Sequence, residues 1–473
     1  MKSISTNSNL KMMSGQVLNN NGKVSHSQSA EADPSPRQRF QTPIEEAAET
    51  TSAVILRNKE MSKRFQLIVK KLSLKRDERS LAAEIINDLT DQLIDFLRKN
   101  EKYACFKEVK KLTTGSYYEY VKISSPDEFD VMLIIPLLRI KWEEVEGFSG
   151  LFYKLFVSRM PRNDLKMFYL GDCNRISPLK MIAELRTLIK QFLRTSYKGC
   201  QKKWNVKLQR KTQGSPAVTL LLWNSEGEQN ISVDIVLGLE VPQKWPKCTD
   251  DGMNIEEWLS KKTKGDLKHQ PFYFVPKQPC RRALAKDLKE TWRISFSHIE
   301  KTLLMNHGAM KNCCEKGAVH CCRKSCLKLM KHLVHILKEQ YPKELSKLHS
   351  YCVKTAYFHS MVRRSRDDQW PASKVVECFL NILDDFIEHV EKAELKHFFV
   401  ATCNLFDSMN FAPKNLKFLL KVLKEQKANQ IPAFAPPEEY QQEALVPQSQ
   451  NLLVKLATSS VILLIIVFFV KIF

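Results

Sequence analysis

Two acid-bearing apolar strings constrain this chain more than anything else in it. The first is Glu128-Phe129-Asp130-Val131-Met132-Leu133-Ile134-Ile135, and the second is Asn230-Ile231-Ser232-Val233-Asp234-Ile235-Val236-Leu237. Both are rich in β-branched residues and read as strands. Residues i and i+2 of a strand point to one face, so Glu128 and Asp130 project side by side. Asp234 adds a third carboxylate in an otherwise apolar setting. Converging acids repel one another unless cations sit between them. Two Mg²⁺ ions answer that need, because hard cations prefer oxygen ligands and also hold phosphates. A Gly115-Ser116 turn a dozen residues upstream offers backbone N–H groups to such phosphates.

Composition narrows the setting. The chain has 473 residues, room for two or three domains or two large lobes. With only 14 glycines and no GxxxxGK[ST] or GxGxxG string, a Gly-rich phosphate-loop ATPase is excluded. The first 50 residues are polar and show no secretory signal, so a reducing cytosol or nucleus is expected. The 13 cysteines then read as thiols and metal ligands. The net charge of +22 implies a polyanionic partner, either nucleic acid or an anionic membrane surface. Residues 1–57 carry six Lys/Arg against five Asp/Glu, so the excess belongs to the body of the chain.

Five segments are expected. Residues 1–57, rich in Ser, Asn, Gln and Pro, read as a disordered tail. Residues 58–283 read as a helix followed by the acid-bearing lobe. Apolar residues at three- and four-residue steps from Phe65 to Leu97 predict one long or kinked helix. Strands are expected at Val121-Lys122-Ile123, at Asp130–Ile135, and at Ala217–Trp223 paired with Ile231–Leu239 across residues 224–229; a helix is expected over Leu179–Thr195. Residues 284–430 read as a helical lobe, and residues 431–450 as a Pro-rich linker. In residues 451–473, Leu456–Val470 form 15 consecutive uncharged residues between Lys455 and Lys471. As a helix they reach roughly 22 Å at about 1.5 Å per residue, short of a hydrocarbon core of about 30 Å. Snorkelling lysines and local thinning make up the difference, so a membrane tail anchor is expected.

Five cysteines lie between positions 313 and 326. One His and three Cys suffice for a closed tetrahedral zinc site. The spacing favours His307, Cys313, Cys314 and Cys321, with His320, Cys322 and Cys326 as rivals that spacing does not eliminate. Residues 301–340 also hold eight Lys/Arg and two Glu. A metal-pinned loop bearing lysines suits a reader of nucleic-acid backbone rather than of sequence.

The Gly-Ser…Glu-x-Asp…Asp pattern alone points to a nucleotidyltransferase. Further strings make the resemblance narrower: Leu112–Glu119, Val121–Ser124, Glu128–Met132, Ser232–Ile235, Trp292–Lys301, the His-x5-Cys-Cys-x6-Cys run continuing to Lys331, and Ser350–Ala356. Over about residues 60–435 the chain resembles the cyclic GMP-AMP synthase (cGAS) family of cGAS-like nucleotidyltransferases, whose vertebrate members sense cytosolic double-stranded DNA in innate immunity. The resemblance implies an α+β bilobal fold. A mixed sheet would carry the acids, a spine helix would support both lobes, and a helical C-terminal lobe would carry the zinc loop. It implies that Glu128, Asp130 and Asp234 bind Mg²⁺ or Mn²⁺, and that Thr114, Gly115 and Ser116 cradle the triphosphate. Arg293, Lys331, Ser350 and Tyr351 would contact nucleotides, with Tyr351 stacking on a base. His307, Cys313, Cys314 and Cys321 would hold Zn²⁺. Lys75, Arg76, Lys301, Lys311, Lys324 and Lys328 would face DNA, on which a homodimer is expected. The implied activity is DNA-activated synthesis of 2′,3′-cyclic GMP-AMP from ATP and GTP. The alternatives are an RNA-sensing or oligoadenylate-type synthase, and a catalytically silent, membrane-tethered nucleic-acid scaffold. Four features depart from the family pattern: a short, near-neutral N-terminal tail where relatives carry a longer, strongly basic one, Val236 where they carry Thr, His349 where they carry Ser, and the hydrophobic C-terminal extension.

Overall fold

The computed structural model describes residues 59–435, apart from 138–139, 159–164, 172, 200–203, 213, 225–229, 280–284, 310–312 and 315–319. The expected tail at 1–57 and the apolar segment at 451–473 lie outside the described residues. Among the described residues, no helix is long and apolar enough to cross a membrane.

The described strands form one mixed sheet: β1 Lys110–Thr114, β2 Glu128–Pro136, β3 Ile140–Glu144, β4 Phe152–Val157, β5 Trp204–Leu208, β6 Ala217–Asn224, β7 Asn230–Val241, β8 Phe272–Val275 and β9 Trp292–Ser295. Their spatial order is β1-β2-β7-β8-β9-β4-β3, with β5 and β6 branching from β7. One edge of β7 runs parallel to β2, and its other edge is shared between β6 and β8, both antiparallel. β9 lies beyond residue 283 yet pairs with β4 and β8, so the sheet continues past the expected start of the helical lobe.

The alternation of β2 divides its residues between two environments. Phe129, Val131, Leu133 and Ile135 are buried in the main core. Each such burial contributes about 1.5–3 kcal/mol. On the opposite face Glu128 and Asp130 give way to Met132 and Ile134, which pack in a small cluster with Tyr273, Val275 and Val236. The acids therefore sit at the polar end of an apolar strip, and Val236 belongs to that strip.

The expected single helix is two, at residues 59–71 and Arg76–Arg98. Lys75, with φ −63° and ψ 145°, is extended and breaks the helical hydrogen-bond run. The Pro178–Thr195 helix begins on Ser177, whose hydroxyl accepts the Lys180 N–H at 3.0 Å, with Pro at the first turn. Helices Ser297–Met305, Arg323–Gln340, Ser350–Arg363, Val375–Glu391 and Pro413–Ala428 follow the sheet and share its core.

Two sequence expectations are corrected. Val121-Lys122-Ile123 form no strand, because Tyr120 and Ser124 have positive φ and bend the chain on either side. The Val121 N–H instead turns back to the Ser116 carbonyl at 2.9 Å. The expected linker starts later than residue 431, since Ile431 and Phe434 are buried and the Phe434 ring packs on Phe65, Phe379 and His332.

Candidate active site and metal centre

Parallel pairing of β2 with β7 sets Asp130 opposite Asp234 and Glu128 opposite Ser232. On its other edge β2 meets β1, which sets Thr114 opposite Asp130. The chain then turns at Gly115, whose φ is +79°. A Cβ there would land inside the Asp130 carboxylate, so only glycine admits both the backbone conformation and the acid. The Thr219 hydroxyl, on β6, donates to Asp234 Oδ1 at 2.6 Å and orients that carboxylate.

Burial pushes the Asp130 carboxyl up to about 7, and the negative charges of Glu128, Asp234 and Glu119 add to the shift. A carboxyl raised by its own acid neighbours marks a site short of positive charge. The donors are hard oxygens, which suit Mg²⁺ or Mn²⁺. Lys122 provides part of the balance. Its ammonium lies 2.8 Å from Glu128 Oε2 and 2.9 Å from Asp127 Oδ1.

Gly115, Ser116, Glu128, Asp130, Lys331, Ser350 and Tyr351 line one cavity of about 630 Å³, together with Lys122, His335, Lys338, His349 and Lys354. Arg293, on β9, is not on that lining. Asp234 and Thr114 reach the cavity only through their neighbours on the ladder. The Lys331 ammonium donates to the Val121 carbonyl at 2.8 Å, and burial pulls it down to about 8.

A buried polar network supports the cavity. Lys354 donates to Glu119 Oε1 and to Glu300 Oε2, each at 2.6 Å. Burial disfavours its ammonium, but Glu300 and Glu119 outweigh that and push it up to about 12. The Tyr351 hydroxyl donates to Glu300 Oε1 at 3.0 Å. His397 Nδ1 accepts the N–H groups of Phe399 and Val400, each at 3.2 Å. Its Nε2 therefore carries the proton and donates to the Tyr351 oxygen at 2.9 Å. Glu119 closes the Gly115–Tyr118 turn, while Lys354 and Tyr351 belong to the Ser350–Arg363 helix. The network thus ties the turn to that helix.

The second site is sulfur-rich. The ligand atoms of His307, Cys313, Cys314 and Cys321 all lie within 4.8 Å of one another. Adjacent members are 3.7 Å (His307 Nε2 to Cys313 Sγ), 3.9 Å (Cys313 to Cys314) and 3.6 Å (Cys314 to Cys321) apart. A tetrahedron with Zn–S bonds of about 2.3 Å has edges of about 3.8 Å, so the set fits zinc. His307 Nδ1 is engaged with the Leu304 carbonyl at 3.0 Å, which aims Nε2 at the thiols. Burial holds the His307 ring neutral, down to about 4, with Lys324 and Arg323 contributing. A Cβ on Gly308 would come 2.5 Å from the Cys313 Cβ. The rivals fall outside this group: His320 is exposed, and Cys322 and Cys326 are buried in the core.

The basic residues are dispersed. Lys75 is exposed and pairs with Glu78 at 3.4 Å. The Arg76 side chain and Lys311 lie outside the described residues. Lys301 is half-buried and donates to Thr113 O at 2.9 Å and Thr113 Oγ1 at 3.0 Å. The Lys324 ammonium lies 5.4 Å and the Arg79 guanidinium 4.9 Å from the centre of the exposed Tyr120 ring. Arg79, Lys301, Tyr117, Tyr118 and Tyr120 line a surface hollow of about 400 Å³. Sequence reasoning missed Arg79, although it lies one helical turn from Arg76 on the same face. It also missed Thr219, Lys122, Lys354 and His397. Thr219 lay in the hairpin that was read, one register step from its true partner Asp234.

Comparison with known proteins agrees with this geometry. Residues 117–306 match the Mab-21 protein nucleotidyltransferase domain, and residues 322–425 match the Mab-21 protein HhH/H2TH-like domain. The chain is 40% identical to cyclic GMP-AMP synthase of Mus musculus over 78% of this chain and 70% of that protein. It is 40% identical to cyclic GMP-AMP synthase of Sus scrofa over 78% of this chain and 72% of that protein. It is 23% identical to a cyclic GMP-AMP synthase-like receptor of Microplitis demolitor over 72% of this chain and 60% of that protein.

Proposed function

Because the chain belongs to the cyclic GMP-AMP synthase family of Mab-21 nucleotidyltransferases, we propose that it joins ATP and GTP into 2′,3′-cyclic GMP-AMP when double-stranded DNA binds it. One observation carries most of the reading. Asp130 stands beside Asp234 on the neighbouring strand, and Asp130, Glu128 and Gly115 line a cavity large enough for nucleotides.

Glu128, Asp130 and Asp234 would hold Mg²⁺ or Mn²⁺. Such ions activate a ribose hydroxyl and neutralise charge on the reacting phosphates. The chain's own groups do the rest. Gly115 and Ser116 present backbone N–H groups to the triphosphate, and Lys331 adds an ammonium from the opposite wall. Tyr351, its hydroxyl held by Glu300 and His397, presents its ring to a base. Arg293, whose charge acts on Tyr351 and His349 at the cavity, would contact a nucleotide from beside them. The first linkage is 2′–5′ and the ring-closing one 3′–5′. His307, Cys313, Cys314 and Cys321 hold Zn²⁺, which keeps the basic loop rigid.

DNA would lie along Lys75, Arg76, Arg79, Lys301, Lys311, Lys324 and Lys328, bound mainly by counterion release. The Tyr117 hydroxyl donates to the Arg79 carbonyl at 2.6 Å, so this face and the Gly115–Tyr118 turn share a direct bond. Binding there biases the turn toward the form that accepts triphosphate, to the extent that DNA prefers that form. A second copy on the same DNA completes the assembly, and the cytosol or nucleus is its place of action.

The test uses the full chain with ATP, GTP and Mg²⁺, and mass spectrometry of the nucleotide product. Double-stranded DNA is expected to yield the cyclic dinucleotide from wild type and none from Asp234→Asn. Equal yield from both proteins removes the catalytic assignment. Product with double-stranded RNA but not with DNA replaces the activator.

A further inference from the structure

Lys122 stands at the acid trio, yet neither the strand pattern nor the metal scheme uses it. Its ammonium bridges Glu128 Oε2 at 2.8 Å and Asp127 Oδ1 at 2.9 Å, and its side chain is only 11% exposed. The second anchor is itself fixed. The Ser125 hydroxyl donates to Asp127 Oδ2 at 2.6 Å, and the Asp127 carbonyl accepts the Ser232 N–H at 2.7 Å. Asp127 is thus registered against β7 just before the acids begin. Lys122 engages the Glu128 carboxylate through Oε2, and both residues line the cavity.

We propose that Lys122 is a built-in counter-ion of the acid trio, which a divalent cation must displace from Glu128, with Asp127 as the place where the ammonium stays after displacement. The consequence is a metal affinity set below that of three carboxylates alone, so that the apo site is neutralised in part and does not hold metal avidly before nucleotide arrives. A lysine suits this exchange, being a compact charge on a flexible four-carbon stem. After displacement it remains in the cavity, close enough to meet an incoming phosphate. The inference rests on the reading of Glu128 as a metal ligand.

Two readouts on the nucleotide-free full chain test it. Mn²⁺ binding, followed by electron paramagnetic resonance of the free ion, should tighten on the order of tenfold in Lys122→Met, because one positive charge leaves a site a few ångströms away. Charge removal alone gives that result, so the second readout asks whether the lysine moves. Acylation of Lys122 by an amine-reactive ester, quantified by mass spectrometry, should rise several-fold when Mg²⁺ is added to wild type, while buried Lys354 stays unlabelled. Asp127→Asn should raise Lys122 labelling before any Mg²⁺ is present, which keeps the test open if Lys122→Met does not fold. Equal Mn²⁺ affinity in wild type and Lys122→Met, or Lys122 labelling indifferent to Mg²⁺, overturns the proposal. A wild type that binds no Mn²⁺ even with nucleotide present removes the acid-trio reading itself, and this proposal with it.

Discussion

Asp130 and Asp234 are held by two long strands whose parallel ladder runs from Glu128 to Pro136, with β1 and β6 on the outer edges. Cys313 and Cys314 are held by a turn in which Cys314 has φ +66°, and Cys321 by a single bridge to Pro371. Both regions gather groups that resist being together, carboxylates in one and thiols in the other. In the first, an extended backbone ladder holds the groups in place and bears the cost. In the second, the ladder is nearly absent, and an ion is the natural source of the missing cohesion. The acid site should therefore tolerate metal removal as a fold, whereas the sulfur site should not.

The largest expected effect falls on catalysis alone. Asp234→Asn should lose several kcal/mol of charge stabilisation, about a thousandfold in product formation. Its thermal midpoint should stay at or above that of wild type, because a repulsion is relieved. A large fall in midpoint would show that the acids hold the fold together. Next, stripping the sulfur site with a strong chelator, or Cys313→Ser, should cost about 3 kcal/mol or more and lower the midpoint by roughly 5 °C or more. Mn²⁺ binding at the acids should survive. Loss of both together would erase the contrast between the regions.

Smaller effects sharpen it. Gly115→Ala forces a side chain into a left-handed position and against Asp130. The left-handed strain alone costs about 1–2 kcal/mol, so product formation should fall about 5- to 30-fold in a folded protein. Thr219→Val removes the hydrogen bond that orients Asp234. Outer partners of metal ligands are worth about 10- to 100-fold, and the lower end is expected in assays at limiting Mg²⁺, with recovery as Mg²⁺ is raised.

The smallest effect is a pH slope. Asp130 is raised from 3.8 to about 7 in the folded chain. Between those values the folded state holds a proton that the unfolded state has released. The metal-free protein is therefore most stable below about pH 4 as far as this group is concerned, loses that contribution as pH rises through about 7, and changes no further above it. Melting curves of metal-free wild type and Asp130→Asn across this window should diverge, with wild type falling relative to the variant as pH rises.

The same contrast explains what was legible in the sequence. Strand alternation is a strict rule, so the shared face of Glu128 and Asp130 could be read directly. The hairpin around residues 224–229 was read as well, but with 223 against 231, a register that would put Thr219 opposite Ile235; the structure pairs 223 with 230 and so brings Thr219 to Asp234. The sulfur ligands were legible through chemistry rather than geometry, and three rivals stayed open until the fold buried Cys322 and Cys326 elsewhere. β1 went unread because Lys-Lys-Leu-Thr-Thr has no apolar alternation. Val121–Ile123 misled because two β-branched residues outweighed positive φ at Tyr120 and Ser124, which nothing local announces. Lys354 and His397 act through distant partners, and local pattern carries no record of those; Lys122 meets Asp127 and Glu128 across the bend at Ser124, which nothing local announces.

Glu128, Asp130 and Asp234 are expected to share divalent cations beside the Gly115 turn. Anomalous diffraction from crystals grown with Mn²⁺ and a non-hydrolysable nucleotide tests it most directly. The account predicts manganese peaks within coordination distance of all three carboxylates, with the triphosphate against Gly115 and Ser116. Manganese elsewhere, or none at the acids with nucleotide bound, would contradict it.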